Sequence, residues 1–195
     1  MTVERFLGVL IEHDQGVIKP VSFEILSAAR KLADEMSGKV IAFYFSNVAS
    51  LEAESFIKHG ADELRFFIHS DLENYVYENY AFALIRQFEK SSFDYLLLPA
   101  TNNGKELSAV LSAKLGAGVA TDCIALFVGD EGDVEALRPI SSGKAYSTVR
   151  FSGNKPHILS LRPNVFRGPP FSRDGDIFEE QIQLPDFSRR AQNLV

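Results

Sequence analysis

Two rhythms alternate along the chain: short unbroken apolar runs, and longer stretches whose apolar residues recur three or four positions apart. The run Phe6-Leu7-Gly8-Val9-Leu10-Ile11 has no polar break, as expected of a strand buried on both faces. Lys19-Pro20 then opens a predicted helix with Ile25, Leu26, Ala29, Leu32, Ala33 and Met36 on one stripe and Gly38 as its stop. Val40–Phe45 is a second buried strand. Ser50 is the expected cap of a short helix with Glu52 and Glu54 in its first turn, where the helix dipole favours negative charge, and Gly60 stops it. Glu63–Ile68 reads as strand three, residues 72–90 as a longer helix and Tyr95–Pro99 as strand four. Asn103 is the expected cap of the next helix, with Glu106 closing a capping box, a stripe of Leu107, Val110, Leu111 and Leu115, and Gly116 as terminator. Four strand–helix pairs in succession imply right-handed crossovers and a parallel sheet covered on both faces.

From Thr121 the rhythm changes. Cys123–Val128, Val134–Ile140, Ala145–Phe151 and His157–Leu161 are β-like with no room for helices between them, and Gly129–Asp133 has hairpin-turn chemistry. The predicted fold is α/β: a three-layer α/β/α sandwich with a mainly parallel, doubly wound sheet that finishes in antiparallel strands at one edge. Residues 1–166 make this domain. Residues 167–195 read as a linker or tail, because the prolines at 169 and 170 can continue neither a helix nor a central strand, although Ile177–Leu184 has the pattern of one more strand.

Composition narrows the chemistry. With 195 residues and 46% hydrophobic content the chain can bury a full core without staples. Cys123 is the only cysteine, which excludes an internal disulfide and any multi-cysteine metal site. His13, His59, His69 and His157 are scattered with no pair at helical spacing, so no metal site is expected. A net charge of −6 argues against nucleic acid as a partner, and no apolar stretch is long enough for membrane insertion. The strand that begins almost at the first residue leaves no room for a leader, and the expectation is a cytoplasmic protein.

Phosphate-binding motifs fail in detail. Ser141-Ser142-Gly143-Lys144-Ala145 imitates a phosphate loop, but Arg138 stands where the first glycine belongs and Ala145 replaces the magnesium-binding hydroxyl. Gly116-Ala117-Gly118 lacks the third glycine of a dinucleotide fingerprint and follows a helix; a helix stop and tight turn is the expectation there. No nucleophile elbow exists, Cys123 opens an apolar run as an inert thiol would, and no catalytic residue is assigned. Three loops stay open between ligand chemistry and plain capping or hairpin-tip chemistry. They are Asn102-Asn103-Gly104 after strand four, Thr121-Asp122 after the next crossover, and the patch of Arg138, Ser141, Ser142, Gly143, Lys144 and Tyr146 with Arg162 to Phe166.

Taken in order, Val9-Leu10-Ile11-Glu12-His13, Leu98-Pro99-Ala100-Thr101 with Gly104-Lys105, Ala113-Lys114-Leu115-Gly116 leading to Thr121-Asp122, Arg138-Pro139 with Ser142-Gly143-Lys144-Ala145, and Leu161-Arg162-Pro163-Asn164-Val165-Phe166 resemble the N-terminal domain of an electron transfer flavoprotein α subunit. The resemblance covers residues 5–166 and implies an adenine-nucleotide α-hydrolase-like fold. It implies a non-enzymatic electron carrier: an αβ heterodimer taking electrons from dehydrogenases to a quinone-linked or other acceptor through FAD. In that family a second α domain holds most of the FAD. Its Gly-Gly-Arg-Gly segment is missing here, so no FAD-binding residue carries over, and the expectation is a truncated α subunit without its flavin domain. AMP belongs to the partner β subunit. Asn102, Asn103, Gly104, Thr121 and Asp122 would then be relics of a nucleotide pocket. Arg138, Gly143, Lys144, Tyr146, Arg162 and Phe166 would face the β subunit or, in the isolated chain, a second copy in a homodimer. Lys144 departs from the family, which commonly has asparagine there.

Two other classes compete. A stand-alone adenine-nucleotide regulator of the universal-stress-protein type suits the sheet but lacks the phosphate loop. A small hydrolase has only scattered Asp, Ser and His behind it.

Overall fold

The apolar runs become strands because each contributes alternate side chains to two separate cores. In the computed structural model, which describes residues 4–48, 53–168, 170, 171 and 173–185, β1 (Phe6–Leu10) turns Leu7 and Val9 to one face and Leu10 to the other. β4 (Lys39–Ser46) does the same, with Ala42 and Tyr44 on one side and Ile41, Phe43 and Phe45 on the other. Between β1 and β4 lie a two-residue ladder, β2 (His13–Asp14) with β3 (Val17–Ile18), and α1 (Pro20–Met36). The remaining elements are α2 (Ala53–Lys58), β5 (Glu63–Ile68), α3 (Tyr77–Lys90), β6 (Tyr95–Pro99), α4 (Asn102–Leu115), β7 (Ala117–Cys123), β8 (Ala125–Val128), β9 (Val134–Ile140), β10 (Ala145–Val149), β11 (Asn154–Leu161) and β12 (Asp176–Gln181).

Seven strands form one sheet in the order β12-β5-β4-β1-β6-β11-β7, and all its pairings are parallel. Core residues of α1 and α2 pack on one face, those of α3 and α4 on the other, which makes the three-layer sandwich that the pattern predicts. The antiparallel strands are present too. They form a separate three-stranded sheet, β10-β9-β8, whose inner residues Leu126, Val134, Ala136 and Val149 join the α1-side core. One hydroxyl fastens this sheet to the large one: Tyr95 Oη accepts from the Val134 amide at 3.0 Å and donates to Asp133 at 3.2 Å.

Several boundaries differ from expectation. Ser37, not Gly38, takes the left-handed position that ends α1. The helix expected over 72–90 begins at Tyr77, after a 3-10 turn at Ser70–Leu72 capped by the His69 ring. Thr101 replaces Asn103 as cap of α4: its Oγ1 accepts from Gly104 N at 3.1 Å, so Glu106 closes no capping box. Gly116 does end α4 in the left-handed conformation, but Gly118 lies inside β7 and not in a turn. β7 is an edge strand with a diluted apolar pattern, which is why Gly118 and the preceding Gly116 outweigh it in the sequence. Ser50, Glu52, Arg189 and Arg190 lie outside the described residues.

Chain beyond residue 166 completes the sheet. It crosses the α1–α2 face, where Arg173 pairs with Asp62 and the Phe171 amide donates to the Lys58 carbonyl, and ends as β12 beside β5. Among the described residues, no helix is long and apolar enough to cross a membrane and no group of three metal-binding side chains gathers.

Candidate functional site

The chain runs outward from β1 to β4 and β5, then returns to place β6 on the other side of β1. The switch point therefore lies between the carboxyl ends of β1 and β6, where doubly wound sheets bind ligands. Here that crevice is filled by the protein's own side chains. It is lined by Leu10, Ile11, Glu12, His13, Tyr75, Tyr80, Pro99, Asn103 and Gly104 and has a cavity of about 10 Å³, room for one water at most.

Two buried side chains, Glu12 and His13, and the half-buried Tyr75 hold the filling in place. Glu12 Oε1 accepts from Lys19 Nζ at 3.0 Å and from Thr101 Oγ1 at 3.1 Å, which ties the start of α1 to the cap of α4. His13 Nε2 lies 2.7 Å from the Phe45 carbonyl, a contact that only an N–H makes, and its Nδ1 accepts from Gly16 N at 3.2 Å. The tautomer is thereby set with the proton on Nε2. Tyr75 donates to the Asn103 carbonyl at 3.0 Å and lies edge-on to Tyr80. Burial raises the Tyr75 phenol, with the Glu106 carboxylate adding to the shift, so it stays a donor at any working pH. Gly104 is set by local packing: a β-carbon there would sit 1.8 Å from the Pro99 carbonyl.

The two suggested relic loops do not share it. Asn103 and Gly104 line the crevice, Asn102 is exposed, and Thr121 and Asp122 lie at the end of β7, the far edge strand. Asp122 instead joins a second site. Its backbone is left-handed (φ 60°), its amide donates to Ser160 Oγ, and Arg162 grips its carboxylate with Nε at 3.0 Å and Nη2 at 2.5 Å. The Arg162 hydrogen bonds foremost, then the charges of Arg162, Lys105 and Arg138, hold Asp122 below the usual carboxylate range.

Asp122, Arg138, Pro139, Ile140, Ser141, Ser142, Gly143 and Arg162 line one open groove of about 480 Å³. Its floor includes a tight turn with Ser141, Ser142 and Gly143 all at positive φ. The structure therefore gathers Arg138, Gly143 and Arg162 from the suggested interface, together with Asp122 from the suggested nucleotide loops. Lys144 and Tyr146 flank the groove at the start of β10, both exposed, and Phe166 is half-buried against the α1-side core. On the outer face of the small sheet Phe127 and Tyr146 are solvent-facing, 49% and 60% exposed. Cys123, next to the groove, is fully buried, and burial pushes its thiol up to about 12.

Sequence reasoning misses Glu12 and Tyr75 as closers of the crevice. A charged pair, Glu12-His13, immediately after a wholly apolar strand is the signal that was there to read; Tyr75 carries none.

Comparison with known proteins matches residues 7–181 to the electron transfer flavoprotein domain model. The electron transfer flavoprotein subunit alpha of Megasphaera elsdenii is 30% identical over 191 residues, covering 95% of this chain and 56% of that protein. Lactate dehydrogenase (NAD(+),ferredoxin) subunit LctC of Acetobacterium woodii is 28% identical, covering 85% of this chain and 40% of its own length. Protein FixB of Azorhizobium caulinodans is 31% identical, covering 85% and 46%. The chain thus spans about half the length of the curated relatives it matches.

Proposed function

The chain belongs to the electron transfer flavoprotein family, and from that premise we propose that it is the N-terminal scaffold and subunit-interface domain of an α-type subunit. One observation carries the reading. The switch-point crevice, where a fold of this class takes its ligand, is closed by Glu12, Tyr75 and Tyr80, so what the domain offers is surface. The groove at Arg138 and the exposed outer face of the small sheet supply it. On this reading FAD belongs to the complete protein and is held by the part of the relatives that this chain does not span. AMP belongs to the β subunit, and electrons pass from dehydrogenases to a quinone-linked or other acceptor without any step on these residues.

The runner-up, a stand-alone adenine-nucleotide regulator, needs a nucleotide-sized cleft at the switch point. Filling of that cleft by tyrosines and a buried carboxylate disfavours it.

The test is to mix the chain with the β subunit of the same source organism and to titrate the chain with AMP and ATP by calorimetry. A stable 1:1 complex with no nucleotide heat is the expected outcome. Micromolar nucleotide binding to the isolated chain, without complex formation, would replace the scaffold with the regulator.

A further inference from the structure

The groove beside β7 carries an excess of positive charge that the fold does not use. Lys105, Arg138 and Arg162 all act electrostatically on Asp122, yet only Arg162 is paired to it. Arg138 has no ion pair and no side-chain hydrogen bond among the described residues, and its Nε is sealed from solvent without an acceptor. A guanidinium carries five donors in a fixed fork, and a sealed donor left unmet costs free energy. Arg138 nevertheless lines the open groove as a cation without a counter-charge, so an acceptor arriving from outside the chain meets the rest of the guanidinium there and not Nε. The setting favours one kind of acceptor. The left-handed turn at Ser141, Ser142 and Gly143 and the flanking Ile140 make the groove open and partly apolar, and Ile140 is 42% exposed.

We propose that Arg138 is the anion-recognition residue of this surface and that its occupant is an acidic side chain, aspartate or glutamate, of the β-type partner. The inference rests on the interface reading above and deepens it. Arg162 is the positioning residue: by clamping Asp122 it keeps that carboxylate from swinging onto Arg138, so the free guanidinium stays available. Ile140, two residues along β9 on the same face as Arg138, supplies the apolar rim that removes water from the pair, and desolvated charge-assisted bonds of this kind are where interface energy concentrates.

The experiment measures binding of the full chain to the β subunit of the same source organism by calorimetry at two salt concentrations. Arg138→Gln should weaken the complex at least tenfold and Arg138→Glu at least a hundredfold. Arg138→Lys should restore part of the loss, because it returns the charge but not the fork. Each variant is checked for an unchanged thermal transition. Salt dependence of the wild-type complex, which needs no variant, should flatten in Arg138→Gln. A wild-type complex whose affinity is unchanged within twofold by Arg138→Gln and Arg138→Glu would overturn the assignment while leaving the interface reading intact. No wild-type complex at all would remove both. In a second arm inorganic phosphate is titrated into the free chain: submillimolar binding abolished by Arg138→Gln would make the site one for a free oxyanion and overturn the partner assignment.

Discussion

Removing one oxygen atom from Tyr95 tests how the small antiparallel sheet is attached. The ring is fully buried at the start of β6, and its hydroxyl is the acceptor for the Val134 amide at 3.0 Å, in a residue only 1% exposed. Tyr95→Phe keeps the packing and leaves that N–H with nothing to meet. An unsatisfied buried donor costs roughly 1–3 kcal/mol. The second bond, to Asp133 at 3.2 Å, adds little, since Asp133 is 57% exposed and already pairs with Arg5. For a chain of this size about 1 kcal/mol moves the melting temperature by roughly 2–4 °C, so a drop of about 2–12 °C is expected. Urea denaturation followed by circular dichroism and by tyrosine fluorescence should show a lower midpoint with an unchanged slope. Tyr80→Phe is the control. That hydroxyl is buried as well, but its three contacts, to His13, Phe45 and Leu72, are all 3.4 Å long, and its loss should cost under about 0.5 kcal/mol. If Tyr95→Phe lies within about 0.3 kcal/mol of wild type, or if Tyr80→Phe costs as much, the unsatisfied-amide account is wrong.

Three further outcomes follow from individual residues. Burial foremost, and then Lys155, depress the pKa of His157, which is 5% exposed. The unfolded chain then binds the extra proton more readily, so stability falls as pH drops below about 6.5, and the midpoint difference between pH 7.5 and 5.5 should shrink in His157→Gln. Cys123 is fully buried, and burial pushes its thiol up to about 12; a disulfide reagent should label it only as fast as the protein unfolds, and rapid native labelling would refute its burial. Gly104→Ala drives a methyl against the Pro99 carbonyl and should destabilise by more than about 2 kcal/mol, with an increased amide exchange rate confined first to the start of α4.

Where the sequence was legible, two independent signals coincided. Phe6–Leu10, Lys39–Ser46 and Tyr95–Pro99 are apolar on both faces and bounded by turn residues, and each is a central strand. α1 and α4 announce themselves by stripe, proline and terminal glycine. What escaped was decided by long-range partners. β7 becomes a strand because β11 inserts beside it, from more than thirty residues downstream, and nothing in Ala117-Gly118-Val119 says so. α4 starts two residues earlier than expected, capped by Thr101 instead of Asn103, because Thr101 has Glu12 to donate to. The groove is half legible: the sequence presents Arg138, Gly143 and Arg162 as one polar patch, but the clamp that holds Asp122 on Arg162 depends on the fold.

The order of strands in the large sheet differs from their order in the chain, and this bears on synthesis. β7 emerges from the ribosome before β11, the strand that must lie between it and β6, and β12 arrives last to cover β5 at the opposite edge. Until β11 is made, the nascent chain has an open β6 edge and a β7 without a neighbour. Sheet completion thus waits on two late segments, on opposite sides of β1, and the exposed intermediates are the species that a chaperone would meet.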